Sequence, residues 1–274
     1  NILTTRGCPN NCTYCITANV MEGVAWRERS IENVMGEIKE LVEKYGVKEL
    51  NIDDATFNYS RERLKKFCEA MIDSGYNLLW TCNARVKPID EDMLKLMRKA
   101  GCKLIRYGVE SADEKVLAYM NKNITLDEVR RAFRMTRKAG ILALGGFMFG
   151  FAVDDKDTIE KTIEFMKEIK PDMIQASIPM PYPGTAMHDQ VRVADKFVYK
   201  NWEEFAMTEG PVVEINGIKR EEFKSILSRV YKEFYYRPSF VWQTITGIRR
   251  YSDIPRILRG FISMSSLVKF HKKK

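Results

Sequence analysis

The sequence predicts an α/β fold, a partial (β/α)6 TIM-like barrel followed by a mainly helical extension, and three observations predict it. Short β-like apolar runs alternate with long helical stretches, the pattern of βα units wound about a parallel sheet. Glycines stand where helical stretches end, at Gly46, Gly75, Gly101 and Gly140, and read as caps that return the chain to the next strand. With 274 residues and 45% apolar content the chain can bury one substantial core, so a single α/β domain with an appendage is the economical expectation.

Six strands are expected, over residues 2–5, 49–53, 78–82, 103–108, 142–149 and 173–178. Between them Ile31, Val34, Ile38, Leu41, Val42 and Tyr45 recur at helical spacing, as do Leu64, Phe67, Cys68, Met71 and Ile72. Ser30, Ser60 and Thr125 stand at N-cap positions, and only Thr125, with Glu128 three places on, completes a capping box. The core barrel is assigned to residues 1–189 and the extension to 190–274. Barrels of this kind carry functional groups at the C-terminal ends of their strands. Cys8–Cys15, Asp53–Asp54, Asn83–Arg85 and Glu110–Ser111 all follow expected strands.

The run Cys8-Pro9-Asn10-Asn11-Cys12-Thr13-Tyr14-Cys15 offers three thiolates in C-x3-C-x2-C spacing. Structural zinc takes a closed set of four Cys or His ligands, whereas a cubane iron–sulfur cluster can sit on three and present its last iron to a ligand. No histidine lies nearby, since the only two are His188 and His271. Three clustered cysteines also leave one unpaired in any disulfide scheme, and no secretory signal precedes them. A [4Fe-4S] cluster is the expectation, with zinc or structural thiols as the alternatives. Cys68 and Cys102 read as core residues. Cys82, placed near the barrel mouth, is read as core with a catalytic or ligating role left open.

The cysteine run, with the aromatic Tyr14 before its last member, resembles the cluster motif of the radical S-adenosylmethionine (SAM) superfamily. Residues 27–45, NIDDATFN at 51–58, WTCNARV at 80–86, GVES at 108–111 and PYPGT at 181–185 are similar to successive motifs of its cobalamin-dependent class. That class includes magnesium-protoporphyrin cyclases and methyltransferases acting on unactivated carbon. The resemblance implies SAM bound through its amino and carboxylate groups to the open iron of a cluster on Cys8, Cys12 and Cys15. It implies SAM contacts from Asp54 or Asp53 to the ammonium, Arg85 to the carboxylate and Glu110 to the ribose hydroxyls, with Tyr14, Gly145 and Gly146 beside the adenine. An external one-electron reductant of the flavodoxin or ferredoxin type is implied as well. The family's G-F-P-x-E-T stretch is departed from at Gly150-Phe151-Ala152-Val153-Asp154-Asp155, which lacks the proline.

The chain opens without a Met and with strand-like residues already in place, so a fragment of a longer protein is expected, with an N-terminal cobalamin-binding domain outside it. Its D-x-H-x-x-G signature occurs nowhere in these residues. Net charge is +8, yet residues 219–274 alone hold 14 basic against 4 acidic residues, so the excess belongs to the tail. From Arg237 onward apolar and basic residues interleave, which suits either peripheral contact with an anionic membrane or a cap on the barrel with its charges solvated. Nucleic acid is disfavoured, because no base-reading motif accompanies the charge. No run of about 18 or more uncharged apolar residues suggests a spanning helix, and scattered single cysteines fit a reducing cytoplasm. The substrate is not named by the sequence; a lipid or other apolar metabolite fits the tail. Two further readings stay open: a cobalamin-independent methylthiotransferase or oxidoreductase of the same superfamily, and a zinc-stabilised scaffold without redox chemistry.

Overall fold

Five parallel strands lie in sequence order across one sheet, joined by helical crossovers, in a computed structural model that describes residues 1–199, 201–205 and 210–246. The strands of the chain are β1 (Thr5–Arg6), β2 (Arg27–Glu28), β3 (Glu49–Ile52), β4 (Leu79–Ala84), β5 (Cys102–Glu110), β6 (Leu142–Met148) and β7 (Met173–Ser177), and β3 to β7 form the sheet. The helices are α1 (Ile31–Tyr45), α2 (Arg61–Asp73), α3 (Glu91–Lys99), α4 (Glu114–Tyr119), α5 (Leu126–Lys138), α6 (Lys156–Ile169), α7 (Ala186–Val193), α8 (Glu222–Tyr235) and α9 (Pro238–Thr246).

Period-2 alternation decides where the core sits. On β4, Trp80, Cys82 and Ala84 are buried while Thr81 and Asn83 take the other face; on β5, Ile105, Tyr107 and Val109 are buried while Arg106 and Gly108 alternate with them. The buried face meets the helices. Trp80 packs edge-on against Phe67 of α2, with ring centres 5.5 Å apart, and donates its indole N–H to Ala100 O at 2.7 Å. The opposite, inner face is polar, and there the functional residues gather. Cys82 is therefore on the helix side and not at the barrel mouth, because it shares the register of Trp80. Cys68 and Cys102 are buried with it, and burial pushes both thiols up.

The helix signals behave as expected. Ser30 and Ser60 each accept the backbone N–H three residues on, at 3.2 Å, and Thr125 forms a reciprocal box with Glu128. Gly46 takes the left-handed conformation (φ 64°) that ends α1, and at Gly101 an added Cβ would stand 2.2 Å from Leu78 O. A second box, Asp155 with Thr158, starts α6, with threonine at the third position in place of the usual Glu or Gln.

The first expected strand is not a sixth member of the sheet. Ile2 makes one isolated parallel bridge with Ile52, and Thr5–Arg6 pairs antiparallel with Arg27–Glu28 in a separate ribbon. The physical reason is Asp54. Its buried carboxylate accepts the backbone N–H of Thr4 (2.6 Å) and Thr5 (3.1 Å) and the Thr4 hydroxyl (2.5 Å), so a side chain takes the donors that a ladder would use. Arg63 holds the other side, donating to Thr4 O at 3.0 Å and Arg29 O at 2.6 Å.

Each outer edge of the sheet is occupied. Beside β3, Ile2 donates to Asn51 O and accepts from Asp53 N, both at 2.9 Å. Beside β7, the hydroxyls of Tyr235 and Tyr231 accept from Ile174 N (3.1 Å) and Ala176 N (3.0 Å). Two tyrosines one helical turn apart on α8, with parallel rings 6.3 Å between centres, match the spacing of alternate residues along a strand.

Without the proline of the stretch it resembles, the loop after β6 is shaped by Asp154. Its buried carboxylate accepts from Gly150 N (2.9 Å), Phe151 N (2.8 Å) and the Thr158 hydroxyl (2.7 Å), and Gly150 adopts φ 110°. Burial pushes this carboxyl up, and the three donors pull it back. Asp154→Ala should lower stability by about 2–4 kcal/mol in urea unfolding, because two buried N–H groups lose their acceptor. An unchanged midpoint would mean that the loop is held by other contacts.

Among the described residues no helix is long and apolar enough to cross a membrane. The membrane-contact expectation rests on the apolar and basic tail from Arg237 onward, of which residues 247–274 lie outside the described residues.

Candidate functional site

The cysteine loop is held from several sides before any ligand is considered. Gly7 (φ 82°) lies so close to Ala25 that an added Cβ would stand 2.1 Å from its carbonyl oxygen, and its N–H donates to Glu22 at 2.9 Å. Asn19 donates through Nδ2 to the carbonyls of Cys12 (3.1 Å) and Cys15 (2.6 Å), closing the loop on its own backbone. Thr13 N donates to Met120 O at 3.0 Å, and Met187 N at the start of α7 donates to Thr13 O at 2.9 Å. The PYPGT stretch has a structural part in this: Gly184 (φ 86°) turns the chain and Thr185 caps α7.

Cys8, Cys12 and Cys15 line one cavity of about 300 Å³ whose other walls are the C-terminal ends and inner faces of β4 to β7. Cys8 and Cys12 are buried and Cys15 is half-buried. Cys8 Sγ receives Asn10 Nδ2 and stands beside the Thr56 hydroxyl, each at 3.4 Å. Arg85 Nη1 reaches Cys12 Sγ at 3.8 Å, and its Nη2 donates to Lys122 O. Burial pushes the Cys12 thiol up; the Lys122 ammonium and Arg85 guanidinium act against that. Among the described residues no three Cys, His, Asp or Glu side chains converge as ligands of a single metal ion. Three thiols set around a cavity instead suit a cluster in which each thiolate takes its own iron, so the donor set fits [4Fe-4S] better than zinc.

Across the cavity, Glu110 ends β5 in the left-handed region (φ 70°), at a register shift between Gly108 and Glu110. A non-glycine residue there costs about 1–2 kcal/mol, offset by what the carboxylate gains. Its Oε1 accepts from Lys122 Nζ at 2.8 Å and from the Tyr14 hydroxyl at 3.0 Å, while Oε2 takes no partner among the described residues. Burial and the Glu110 carboxylate push the Tyr14 phenol well above its ordinary value, so it stays protonated and donates. Phe151, fixed by Asp154, supports the Tyr14 ring edge-on with centres 5.8 Å apart.

Of the residues singled out in the sequence, the structure brings together Cys8, Cys12, Cys15, Tyr14, Arg85, Glu110 and Gly146. Three fall elsewhere. Asp54 is consumed by Thr4 and Thr5, and Asp53 is exposed in a separate cleft beside Asn1–Leu3 and Arg27–Arg29. Gly145 faces the helices, where an added Cβ would stand 2.8 Å from Phe147, while Gly146 opens toward the cavity. Sequence reasoning missed Lys122, which is 5% exposed. It lies between Asn121 (φ 51°) and Asn123 (φ 50°), two residues suited to left-handed turns, and that Asn-Lys-Asn pattern is the signal that could have found it.

A family model of the radical SAM superfamily matches residues 2–166. An uncharacterized methyltransferase of Pyrococcus horikoshii is 31% identical over 261 residues, 95% of this chain and 56% of that protein. The anaerobic magnesium-protoporphyrin IX monomethyl ester cyclase of Cereibacter sphaeroides is 30% identical over 259 residues, 89% of this chain and 40% of that one. The chain thus spans about half the length of these relatives. Among solved structures, the radical SAM methyltransferase TsrM of Kitasatospora setae, with cobalamin and a [4Fe-4S] cluster bound, aligns with TM-score 0.65 at 21% identity, over 70% of this chain and 36% of that one. With the cysteine loop, the parallel sheet and the cavity between them described, the match over residues 2–166 places the chain in the radical SAM superfamily.

Proposed function

We propose that the chain holds a [4Fe-4S] cluster on Cys8, Cys12 and Cys15 and cleaves SAM reductively, in an enzyme that methylates or otherwise modifies an unactivated carbon. The observation that carries this is the shared cavity: three thiols on one wall, and on the opposite wall a carboxylate held by Lys122 and Tyr14 with one oxygen left over. Bound and reduced, the cluster with SAM supplies a 5′-deoxyadenosyl radical, and the hard chemistry is the cofactors' own.

The residues of the chain bind, orient and exclude water. Glu110 Oε2 is the acceptor for ribose hydroxyls, and Lys122, bonded to Oε1, keeps that carboxylate aimed. Tyr14 fixes its position from the cluster side. Gly146 leaves room on the inner face for a flat ring. Arg85, beside Cys12, sets a positive charge where the methionine carboxylate would lie. The electron comes from an external reductant of the flavodoxin or ferredoxin type. Methyl transfer or ring closure is the reaction class supported by the methyltransferase and cyclase relatives, and cobalamin as methyl carrier follows the cobalamin bound in TsrM; no residue of this chain is assigned to it.

Anaerobic incubation of reconstituted, reduced protein with SAM should yield 5′-deoxyadenosine. Glu110→Gln should raise the KM for SAM about tenfold, a loss of about 1.4 kcal/mol, since the ribose loses a charged acceptor and Lys122 loses its partner. A variant with wild-type KM would remove Glu110 from the SAM site.

A further inference from the structure

Charge balance inside the cavity leaves one residue unexplained. Three cations line it: Arg85, Arg106 and Lys122. Lys122 is matched by Glu110, and Arg85 stands against the Cys12 sulfur. Arg106, projecting from the middle of β5 into the lumen, has neither. Its Nη1 donates to Asn51 Oδ1 at 2.8 Å and its Nη2 to the Thr81 hydroxyl at 3.2 Å, and among the described residues no carboxylate lies within ion-pairing distance. Both partners are neutral and come from two other strands, so the guanidinium is fixed in place without being neutralised. Two of its five N–H donors are used.

The layer above is clear on the β6 side. Gly108 and Gly146 face each other in register on β5 and β6, between Arg106 and the strand ends, and a Cβ added at Gly146 would meet nothing nearer than Tyr107 O at 3.5 Å and Gly108 Cα at 3.9 Å. Over Gly108 the Glu110–Lys122 pair fills that room, an added Cβ standing 2.4 Å from Glu110 Oε1 and 2.8 Å from Lys122 Nζ, so it is Gly146 that leaves the cavity free of a side chain between the cysteine wall and this positioned, unpaired cation. In the reading proposed above the carboxylate of SAM is engaged at the cluster end, so it does not serve Arg106.

We propose that Arg106 is the anchor of the substrate chamber and selects a substrate bearing a carboxylate. The inference rests on the SAM-cleaving reading for what else fills the cavity. A carboxylate fits better than a phosphate dianion: one guanidinium balances one negative charge, its free donors suit a planar two-oxygen acceptor, and the nearby thiolates and Glu110 oppose a second charge.

The test is an anaerobic calorimetric titration of the cluster-reconstituted protein with benzoate, benzamide and phenylphosphonate. Wild type should bind benzoate more tightly than benzamide, and Arg106→Gln should weaken benzoate about tenfold or more while leaving benzamide alone. Arg106→Lys, which keeps the charge and loses the fork, should fall between them, and it carries the test if the glutamine variant does not take up cluster. Equal benzoate affinity in wild type and variants, or no preference for benzoate over benzamide, would overturn the proposal. Phenylphosphonate binding more tightly than benzoate through Arg106 would overturn the choice of carboxylate. The titration requires neither reductant nor turnover. Failure to form 5′-deoxyadenosine with anion binding intact would sink the reaction assignment and spare Arg106.

Discussion

Cys12→Ala should abolish 5′-deoxyadenosine formation, by about a thousandfold or more, equivalent to at least ~4 kcal/mol of lost transition-state stabilisation. The variant should also lose the visible absorption of the reconstituted cluster while remaining folded. The reasoning is geometric. Arg85 Nη1 stands 3.8 Å from Cys12 Sγ, and alanine leaves that guanidinium facing a void. Cys68→Ala is the matched control, since that thiol is equally buried but packs on the helix side of the sheet. It should cost about 1 kcal/mol of stability and leave the absorption intact. Cluster absorption and SAM cleavage that survive in Cys12→Ala would remove this loop from the chemistry altogether.

The second large effect is expected at Asp54. Alanine there strands the N–H groups of Thr4 and Thr5 and the Thr4 hydroxyl in a buried place, which should cost about 3–5 kcal/mol in denaturant unfolding of the cluster-free protein. Thr4 leads directly into the cysteine loop, so cluster uptake should fall with stability. Asp54→Asn keeps one acceptor oxygen and should recover part of both. The alternative role, direct recognition of the SAM ammonium, makes a different prediction: normal unfolding and normal cluster content, with only SAM affinity impaired. Observing that pattern would reverse the assignment made from the hydrogen bonds.

What was legible in the sequence, and what was not, divides along physical lines. Caps and cap glycines depend on residues within four places of one another, so Ser30, Ser60, Thr125 and Gly46 could be read locally. The cysteine spacing is local in the same sense. Asp53 against Asp54, and Gly145 against Gly146, are choices between adjacent strand residues, where one step in register exchanges the inner face for the helix side. The flanking apolar pattern did not settle that step at a strand end. Lys122 and Glu110 meet only because β5 and the loop after α4 converge in space. Arg106 did leave a trace, as a charge inside the apolar run from Leu104 to Val109. Such a charge on a strand expected to be buried is a reason to look for what it serves.

Among the described residues the sheet has five strands, and chemistry rather than further strands closes its two outer edges. An incomplete barrel ought to be adhesive, because bare strand edges template pairing with neighbouring molecules. Here the main chain of Ile2 occupies the β3 side, and the phenolic oxygens of Tyr231 and Tyr235 satisfy β7 in place of a sixth strand. A hydroxyl can accept the edge donors yet offers no further ladder to an incoming chain. The β7 edge is thus closed to a stranger's strand without a further strand being added, a protection against aggregation that a single oxygen atom on each tyrosine provides.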